Sequence, residues 1–374
     1  MQPELRGWRW RGQVALTAVA LGFVIYPMTE PGHDVINSDW PAFATGAKIA
    51  MSDPGHLYDI DLQRRVQLEV TGGRQLVTPG IQGILPFLAP AYVALMAVPF
   101  ASLGTELGGR LWILFGLACF AVGLWLATRP RSPAAALPGF AAVPTALLLL
   151  NAQIDGFVVL GLGAAIALWS RPWLAGLALG LTLTKPQLVL PVGLALILAR
   201  KWRVLAGWAI AGIVLWGSYA IFDPLWVLHW LAPASSTVQP IAREVDLAHV
   251  VVFLPQAIQS YGLAVISLVT GLIVIWLAWR RRDELPVAAS ILVAGGVFVS
   301  PHALPADLVL VSLALVMWGR ADVWDWVVLS VAAVVAALAP APVPVVVGLV
   351  LIVRLLLRQS LLPAPPLQPA GSSG

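Results

Sequence analysis

Long apolar segments recur along almost the whole chain, and polar residues concentrate in a few gaps between them. A helix that crosses a membrane needs roughly 20 mostly apolar residues. The pattern predicts an all-α integral membrane protein, a polytopic bundle of about twelve transmembrane helices. The predicted spans are 13–30, 84–103, 108–128, 134–150, 154–170, 173–199, 204–222, 254–279, 285–300, 304–319, 323–339 and 342–358.

Two longer gaps, 31–83 and 223–253, separate these spans. The first gap is much more polar than the rest of the chain. Its spacing of apolar residues predicts amphipathic surface helices, one over 41–52 and one that begins near Leu57 or Asp59. The sequence Asp53-Pro54-Gly55 should break the chain between the two helices.

Composition supports the membrane assignment and excludes several other classes. Hydrophobic residues make up 59% of the chain and charged residues 11%, whereas soluble domains carry about 25% charged residues. The abundance of Ala, Val and Leu favours helices over barrel strands. The 17 tryptophans suit the two membrane interfaces. The single cysteine, Cys119, excludes a disulfide or a cysteine-based metal site within one chain.

Basic clusters flank the apolar segments, and therefore indicate membrane topology and not nucleic-acid binding. If the cluster at 6–11 is cytoplasmic, both long gaps are external loops. In this count Arg129, Arg131 and Arg171 lie outside, against the positive-inside bias. In a second count, 84–103 is a re-entrant segment and 173–199 is two half-spans about Lys185-Pro186. Both counts remain open.

The N-terminus could be mistaken for a signal peptide. We interpret the N-terminal apolar run as an uncleaved first helix and not as a signal peptide. The segment 362–374, rich in Pro, Gly and Ser, is expected to be disordered, and its last residues resemble a cloning scar. A single transmembrane domain is therefore predicted over 1–361.

Two charged residues close to apolar segments are candidates for function, because ionisable groups at membrane depth are costly. Asp39 follows the first span. It or Ser38 could cap the helix that starts at Pro41, and Asp39 could equally be a functional carboxylate. Lys185 could pair with Asp155 and join two helices, or it could be a point charge for a phosphate.

Further polar residues lie between later spans. Asn151, Gln153 and Asp155 could form a hydrogen-bond cluster between helices or line a substrate cavity. A helical spacing of four would put Asn151 and Asp155 on one face. His302 lies at the same predicted membrane face as Asp39. For the pair Asp59 and Asp61, a solvated turn is a better interpretation than a metal site.

Four stretches, taken together and in order, carry a family resemblance. They are Ser38-Asp39-Trp40 with Leu57-Tyr58-Asp59, Asn151 to Asp155, Ala175 to Gln187, and Ser300-Pro301-His302 with Asp307. The chain resembles the polyprenol-phosphate-sugar-dependent glycosyltransferases of the GT-C superfamily. Within these it is most similar to glycosyltransferase family 87 (the DUF2029 type), which includes mycobacterial mannosyltransferases of phosphatidylinositol mannoside synthesis. Ala152 stands where the family pattern suggests glycine.

The resemblance implies a fold and a reaction. It implies a GT-C bundle that transfers a sugar, expected to be mannose, from a polyprenyl-phosphate donor to a lipid or glycan acceptor. Transfer would take place at the outer membrane face with inversion, and Asp39 matches the general base. The residues expected to contact the donor phosphate or sugar are Lys185, His302, Gln153, Asn151, Arg64, Tyr58 and Asp59.

The same resemblance sets expectations for cofactors and location. We expect no cofactor and no metal, since the lipid anchors the donor. The partners are the donor, the acceptor and membrane lipids, without nucleic acid, and the protein is expected to be a monomer. The alanine-rich, lysine-poor composition indicates a bacterial host, so the predicted location is a bacterial inner membrane, with the active site towards the periplasm. The alternative function is a transporter or flippase for a lipid or small polar solute, which would also need many spans and isolated charges.

Overall fold

The computed structural model describes residues 3–29, 35–74, 76, 84–129, 131–237, 245, 247–340 and 342–361. These residues form helices joined by short 3-10 turns, and they include no β-strand. The predicted all-α class is therefore confirmed, while the tail 362–374 and parts of both long loops lie outside the described residues. The helices are α1 (Pro3–Thr29), α2 (Trp40–Ser52), α3 (Ile60–Val70), α4 (Ala91–Ala101), α5 (Thr105–Ala127), α6 (Leu137–Ala141), α7 (Val143–Leu150), α8 (Asp155–Ala167), α9 (Pro172–Leu179), α10 (Leu190–Leu198), α11 (Trp202–Ala220), α12 (Trp226–Thr237), α13 (Gln259–Arg280), α14 (Leu285–Val299), α15 (Val309–Trp318), α16 (Val323–Leu338) and α17 (Val343–Leu361).

Every predicted span contains apolar helix, but most of these helices are short. Among the described residues, four stretches are long and apolar enough to cross a membrane as single helices. A fifth span results if α6, with the 3-10 turn before it, is joined to α7 across a 65° bend. Seven further apolar stretches, some counted with an adjoining 3-10 turn, reach only 10–17 residues. The four long stretches are Trp10–Thr29, Thr105–Ala127, Trp202–Ala220 and Tyr261–Arg280.

The predicted segment 173–199 is broken at Lys185. After α9 the chain forms a 3-10 turn over Gly180–Thr184, leaves the helical region at Lys185 (φ −136°, ψ 72°), and forms a second 3-10 turn over Pro186–Val189. Pro186 lacks an N–H and disfavours helical backbone at the residue before it, which explains the break. The break is the one that the second topology count uses, although the orientation of the chain stays a prediction.

The first long loop contains the two predicted helices, α2 and α3, with a 3-10 turn over Pro54–His56 between them. The prediction of a surface helix was wrong for α2, because ten of its thirteen residues are buried. Its side chains are mostly apolar or small, so it packs into the bundle on nearly all sides. By contrast, α3 is amphipathic, and its buried face carries Gln63 and Gln67.

Helices α5 and α8 approach each other closely because glycines face backbone. A Cβ at Gly156 would overlap the carbonyl oxygen of Gly116, and a Cβ at Gly163 would overlap that of Gly123. The seven-residue spacing on both helices repeats this contact after two turns. The N-terminus of α8 is thereby fixed against α5, beside the residues that precede it in the chain.

Helices α14 and α15 lie in the interior, and every residue of α15 is buried. The connection between them carries Ser300, His302 and a 3-10 turn over Pro305–Leu308. This connection lies next to α7, which ends at the turn before α8. The fold thus brings together three connections that are distant in sequence.

Candidate functional site

Asp39 occupies the N-cap position of α2, but its carboxylate does not cap the helix. Ser38 instead serves the first turn: its hydroxyl accepts a hydrogen bond from the backbone N–H of Trp40 at 3.2 Å and donates to the carbonyl of Val35 at 2.6 Å. The capping contact that the sequence left open between Ser38 and Asp39 is therefore made by Ser38, and the functional role of Asp39 stays a prediction. The carboxylate of Asp39 is directed to another part of the chain.

That other part is the turn between α7 and α8. The side-chain amide of Gln153 donates from Nε2 to Oδ2 of Asp39. The backbone N–H of Asp39 donates to the carbonyl of Asn151 at 3.1 Å. Among the described residues, Oδ1 of Asp39 has no hydrogen-bond partner, and the residue is half-buried. One carboxylate oxygen is thus held by the protein and the other is open.

Lys185 lies at the centre of the same polar cluster. Its Nζ donates to Oε1 of Gln153 at 2.8 Å. It also forms ion pairs with Oδ2 of Asp155 at 2.9 Å and with Oδ1 of Asp307 at 2.6 Å. An ammonium has three N–H donors, and three protein acceptors engage them. Of the two roles left open for Lys185, the structure shows the pairing with Asp155.

The turn that supplies Gln153 differs from the predicted geometry. Helix α7 ends at Leu150, and the amide of Asn151 donates back to the carbonyl of Leu147 at 2.9 Å. Ala152 follows with a φ of +50°. The prediction that Asn151 and Asp155 share a helix face was therefore wrong, because a turn separates them. Ala152 adopts the left-handed backbone in which glycine is favoured.

Asp307 was not among the predicted site residues, although it is buried in this cluster. Its Oδ2 accepts from the backbone N–H of Leu304 at 2.7 Å, which leaves Oδ1 to Lys185. The signal was present in the sequence, since Asp307 belongs to the fourth family stretch. Its partner could not be read from the sequence, because 122 residues separate the two.

The surroundings of Asp39 change its acidity. Burial raises the pKa of Asp39 to about 6, while the nearby Lys185 and His302 oppose this rise and Asp307 adds to it. His302 lies in a loop that Ser300 holds: the Ser300 hydroxyl donates to the His302 carbonyl at 2.7 Å and accepts from its N–H at 3.2 Å. Asp39 and His302 therefore lie within electrostatic reach of each other, while their common membrane face stays a prediction.

Three other predicted site residues make their contacts elsewhere. The Tyr58 hydroxyl donates to the carbonyl of Ala89 at 2.8 Å. Asp59 caps α3 by accepting from two backbone N–H groups, each at 2.9 Å. Arg64 pairs with Asp61 at 2.9 Å on the exposed side of α3. The cap and the ion pair suit the solvated turn expected for Asp59 and Asp61, and the substrate contacts predicted for these residues stay predictions.

Comparison with known proteins identifies the family. The model of glycosyltransferase family 87 matches residues 87–301, more than half of the chain. The matched region includes Gln153, Asp155 and Lys185, whereas Asp39 and Asp307 lie outside it. Searches of the curated proteins and of the solved structures gave no match. Because the matched family consists of glycosyltransferases, the match favours sugar transfer over the transporter alternative. The apolar helices indicate an integral membrane protein. The chain belongs to glycosyltransferase family 87 and is a membrane glycosyltransferase.

Proposed function

We propose that this protein transfers a hexose, in the first instance mannose, from a polyprenyl-phosphate donor to a hydroxyl group of a lipid or glycan acceptor. Transfer takes place with inversion at the outer face of a bacterial inner membrane. Asp39 is the general base. The observation that supports the proposal is the set of contacts that the Asp39 carboxylate makes. It does not cap its helix, and its Oδ2 accepts a hydrogen bond from Gln153 in the buried polar cluster. Its Oδ1 has no hydrogen-bond partner among the described residues.

The reaction balances without a cofactor. The oxygen of the acceptor hydroxyl forms a bond to the anomeric carbon as the bond from that carbon to the phosphate oxygen breaks. The hydroxyl proton passes to Oδ1 of Asp39, and both electrons of the broken bond leave with polyprenyl phosphate. The protonated Asp39 then returns the proton to water. A negative carboxylate beside the sugar also stabilises a transition state with oxocarbenium character.

The acidity of Asp39 suits this role. A general base works best when its pKa lies near the operating pH, since it is then both deprotonated and able to accept a proton. With a pKa of about 6, Asp39 is mostly ionised at neutral pH and is more basic than an ordinary aspartate. Burial thus gives the carboxylate more proton affinity than it would have in water.

The leaving phosphate needs cationic or hydrogen-bonding partners. His302 is the side chain that we favour, because its charge acts on Asp39 and it lies at the predicted outer face. Lys185 adds positive charge, but its three donors are already directed to protein oxygens. Asn151 contributes the carbonyl that seats Asp39. The contacts of Arg64, Tyr58 and Asp59 offer less support for a place beside the phosphate.

The proposal is tested by transfer in lipid nanodiscs. Purified protein is incubated with radiolabelled polyprenyl-phosphate mannose, then with other polyprenyl-phosphate hexoses, and a membrane-lipid extract. We expect a labelled product with wild type and with Asp61→Asn, which changes a 78% exposed carboxylate of the same loop. Asp39→Asn should form less than about 1% of this product, since general-base catalysis contributes about 10²–10⁴-fold.

Two results would contradict the proposal. A folded Asp39→Asn variant with near-full activity removes Asp39 as the base. Failure of the wild-type protein to transfer from any polyprenyl-phosphate hexose removes the donor class. Circular dichroism and elution as a single species in size-exclusion chromatography provide the check that each variant is folded.

A further inference from the structure

The structure contains a continuous hydrogen-bonded path from two buried carboxyls to Asp39. We propose that Gln153 is a positioning residue, whose carboxamide links Lys185 to Asp39 and fixes the orientation of the Asp39 carboxylate. The proposal rests on the proposed function, because it takes Asp39 as the base. It gives Gln153 a role in orienting the base in place of direct contact with the donor.

The partners of Gln153 determine the orientation of its amide. A lysine ammonium only donates hydrogen bonds and an ionised carboxylate only accepts them. Oε1 of Gln153 faces Nζ of Lys185, and Nε2 faces Oδ2 of Asp39. A rotation of the amide by 180° would place its NH₂ group against the ammonium and its oxygen against the carboxylate. Both contacts would then be repulsive, so a single orientation is favoured.

Lys185 is itself held in place. Asp155 binds it from the start of α8, and Asp307 binds it from the turn before α15. Its backbone is held outside the helical region because Pro186 follows it. The position of the N–H that Lys185 donates to Gln153 is therefore fixed by three separate segments of the chain. A rigid supporting shell of this kind is what holds a reacting group in productive geometry.

The consequence for Asp39 is that Oδ2 is occupied and Oδ1 is presented. Without the amide, the carboxylate could rotate about its side-chain bonds and present either oxygen in several directions. A displacement of about 1 Å from the reactive geometry can lower a rate by about 10²-fold. The expected effect of losing Gln153 is thus a lower kcat, with a smaller change in KM, since Asp39 acts in the chemical step.

The amide also affects the charge of Asp39. A hydrogen bond donated to the ionised form favours that form. The other charged groups that act on Asp39 are Lys185 and His302, which favour its ionised form, and Asp307, which opposes it. Loss of the donor at 153 should therefore move the protonation midpoint of Asp39 upward. A glutamate at 153 should move it further, because it places a like charge beside the carboxylate.

The test compares Gln153→Met, Gln153→Glu and Gln67→Met with wild type in the full-length protein. Gln67 is a matched control, because it is a buried glutamine whose amide makes two hydrogen bonds, both to the backbone of Leu85. The kinetic measurement is kcat and KM for hexose transfer as a function of pH. The second measurement is the pH dependence of carbodiimide labelling at Asp39, read by mass spectrometry, which needs no substrate.

We expect Gln153→Met and Gln153→Glu to lower kcat by about 10–100-fold with KM changed less than about threefold. The midpoints of labelling and of the kinetic profile should rise by at least about half a pH unit, most in Gln153→Glu. Gln67→Met should lose stability and keep the wild-type midpoint. Gln153→Glu retains the acceptor for Lys185, so it remains informative if Gln153→Met does not fold.

Wild-type midpoints in both Gln153 variants would overturn the proposal, as would an equal shift in Gln67→Met. These results are distinct from failure of the proposed function. If Asp39→Asn is inactive but Gln153→Met keeps the wild-type kcat, the role of Gln153 is wrong and that of Asp39 stands. If the wild-type protein transfers no hexose, the labelling midpoints still test the link between Gln153 and Asp39.

Discussion

Replacing Lys185 with methionine would remove the cation between two buried carboxyl groups. The side chains of Asp155 and Asp307 are 0% and 3% exposed, and that of Lys185 is 14% exposed. Water cannot readily replace the lost ammonium at such depth. Removal of one partner from a buried ion pair costs about 3–5 kcal/mol, because the remaining charge is left uncompensated. The free energy of unfolding should fall by about this amount in Lys185→Met.

The assay is equilibrium unfolding in mixed detergent micelles, followed by the fluorescence of the 17 tryptophans. Arg64→Met is the control for an exposed pair, since Arg64 and Asp61 are 37% and 78% exposed. Its effect should stay below about 1 kcal/mol. A triple variant that combines Lys185→Met with Asp155→Asn and Asp307→Asn removes all three charges. It should regain most of the stability, because the stranded carboxylates are then neutral amides.

Two outcomes would refute this reasoning. A loss below about 1 kcal/mol in Lys185→Met would show that the carboxyls do not depend on the ammonium. A triple variant that is no more stable than Lys185→Met would show that lost packing, and not stranded charge, causes the effect. Either result would remove Lys185 as the anchor of the cluster.

Two further predictions concern acidity and backbone. Asp39 accepts a proton only when it is ionised, and its pKa is about 6. We therefore expect kcat/KM to be low under acid conditions, to rise as the pH passes about 6 and to level off above it. A profile that is flat through this range would contradict the assignment of Asp39 as the base. At Ala152, with a φ of +50°, Ala152→Val should lower the free energy of unfolding by about 1–3 kcal/mol, because a branched side chain is strained in left-handed backbone. Ala152→Gly should change the free energy of unfolding by less than about 1 kcal/mol, since relief of backbone strain opposes the loss of a buried methyl group worth about 0.8 kcal/mol. Equilibrium unfolding in micelles measures the free energy of unfolding of both variants. Equal losses of stability in Ala152→Val and Ala152→Gly would refute the backbone strain at this position.

Much of the fold followed from hydropathy, because lipid requires helices wherever the chain is apolar and long enough. Every predicted span contains apolar helix in the structure. The break at Lys185 was also predictable, since Pro186 restricts the residue before it. The lengths of the helices were not, because interior helices of 10–17 residues have the same composition as full spans. Composition likewise does not show whether a short helix lies at the surface or inside the bundle, so the burial of α2 was missed.

The candidate site was only partly predictable. The costs of burying Lys185 and Asp155 suggested that they pair, and the structure joins them. The contact of Asp39 with Gln153 spans 114 residues, and nothing local in the sequence marks it. The prediction that Asn151 and Asp155 share a helix face was wrong because Ala152 has left-handed backbone. An alanine in the sequence does not indicate that conformation. A glycine there would have indicated the turn.

The polar cluster has a consequence for how the protein is made. Its members come from the loop after the first helix, from the middle of the chain and from the turn before α15, so the cluster is incomplete until residue 307 has been synthesised. Until then, Lys185 can pair with Asp155 but not with Asp307. A chain truncated before the 3-10 turn at Pro305–Leu308 would therefore contain most of the apolar helices and still lack Asp307. Completion of the polar cluster is thus a late event in biogenesis, because Asp307 belongs to the last fifth of the chain.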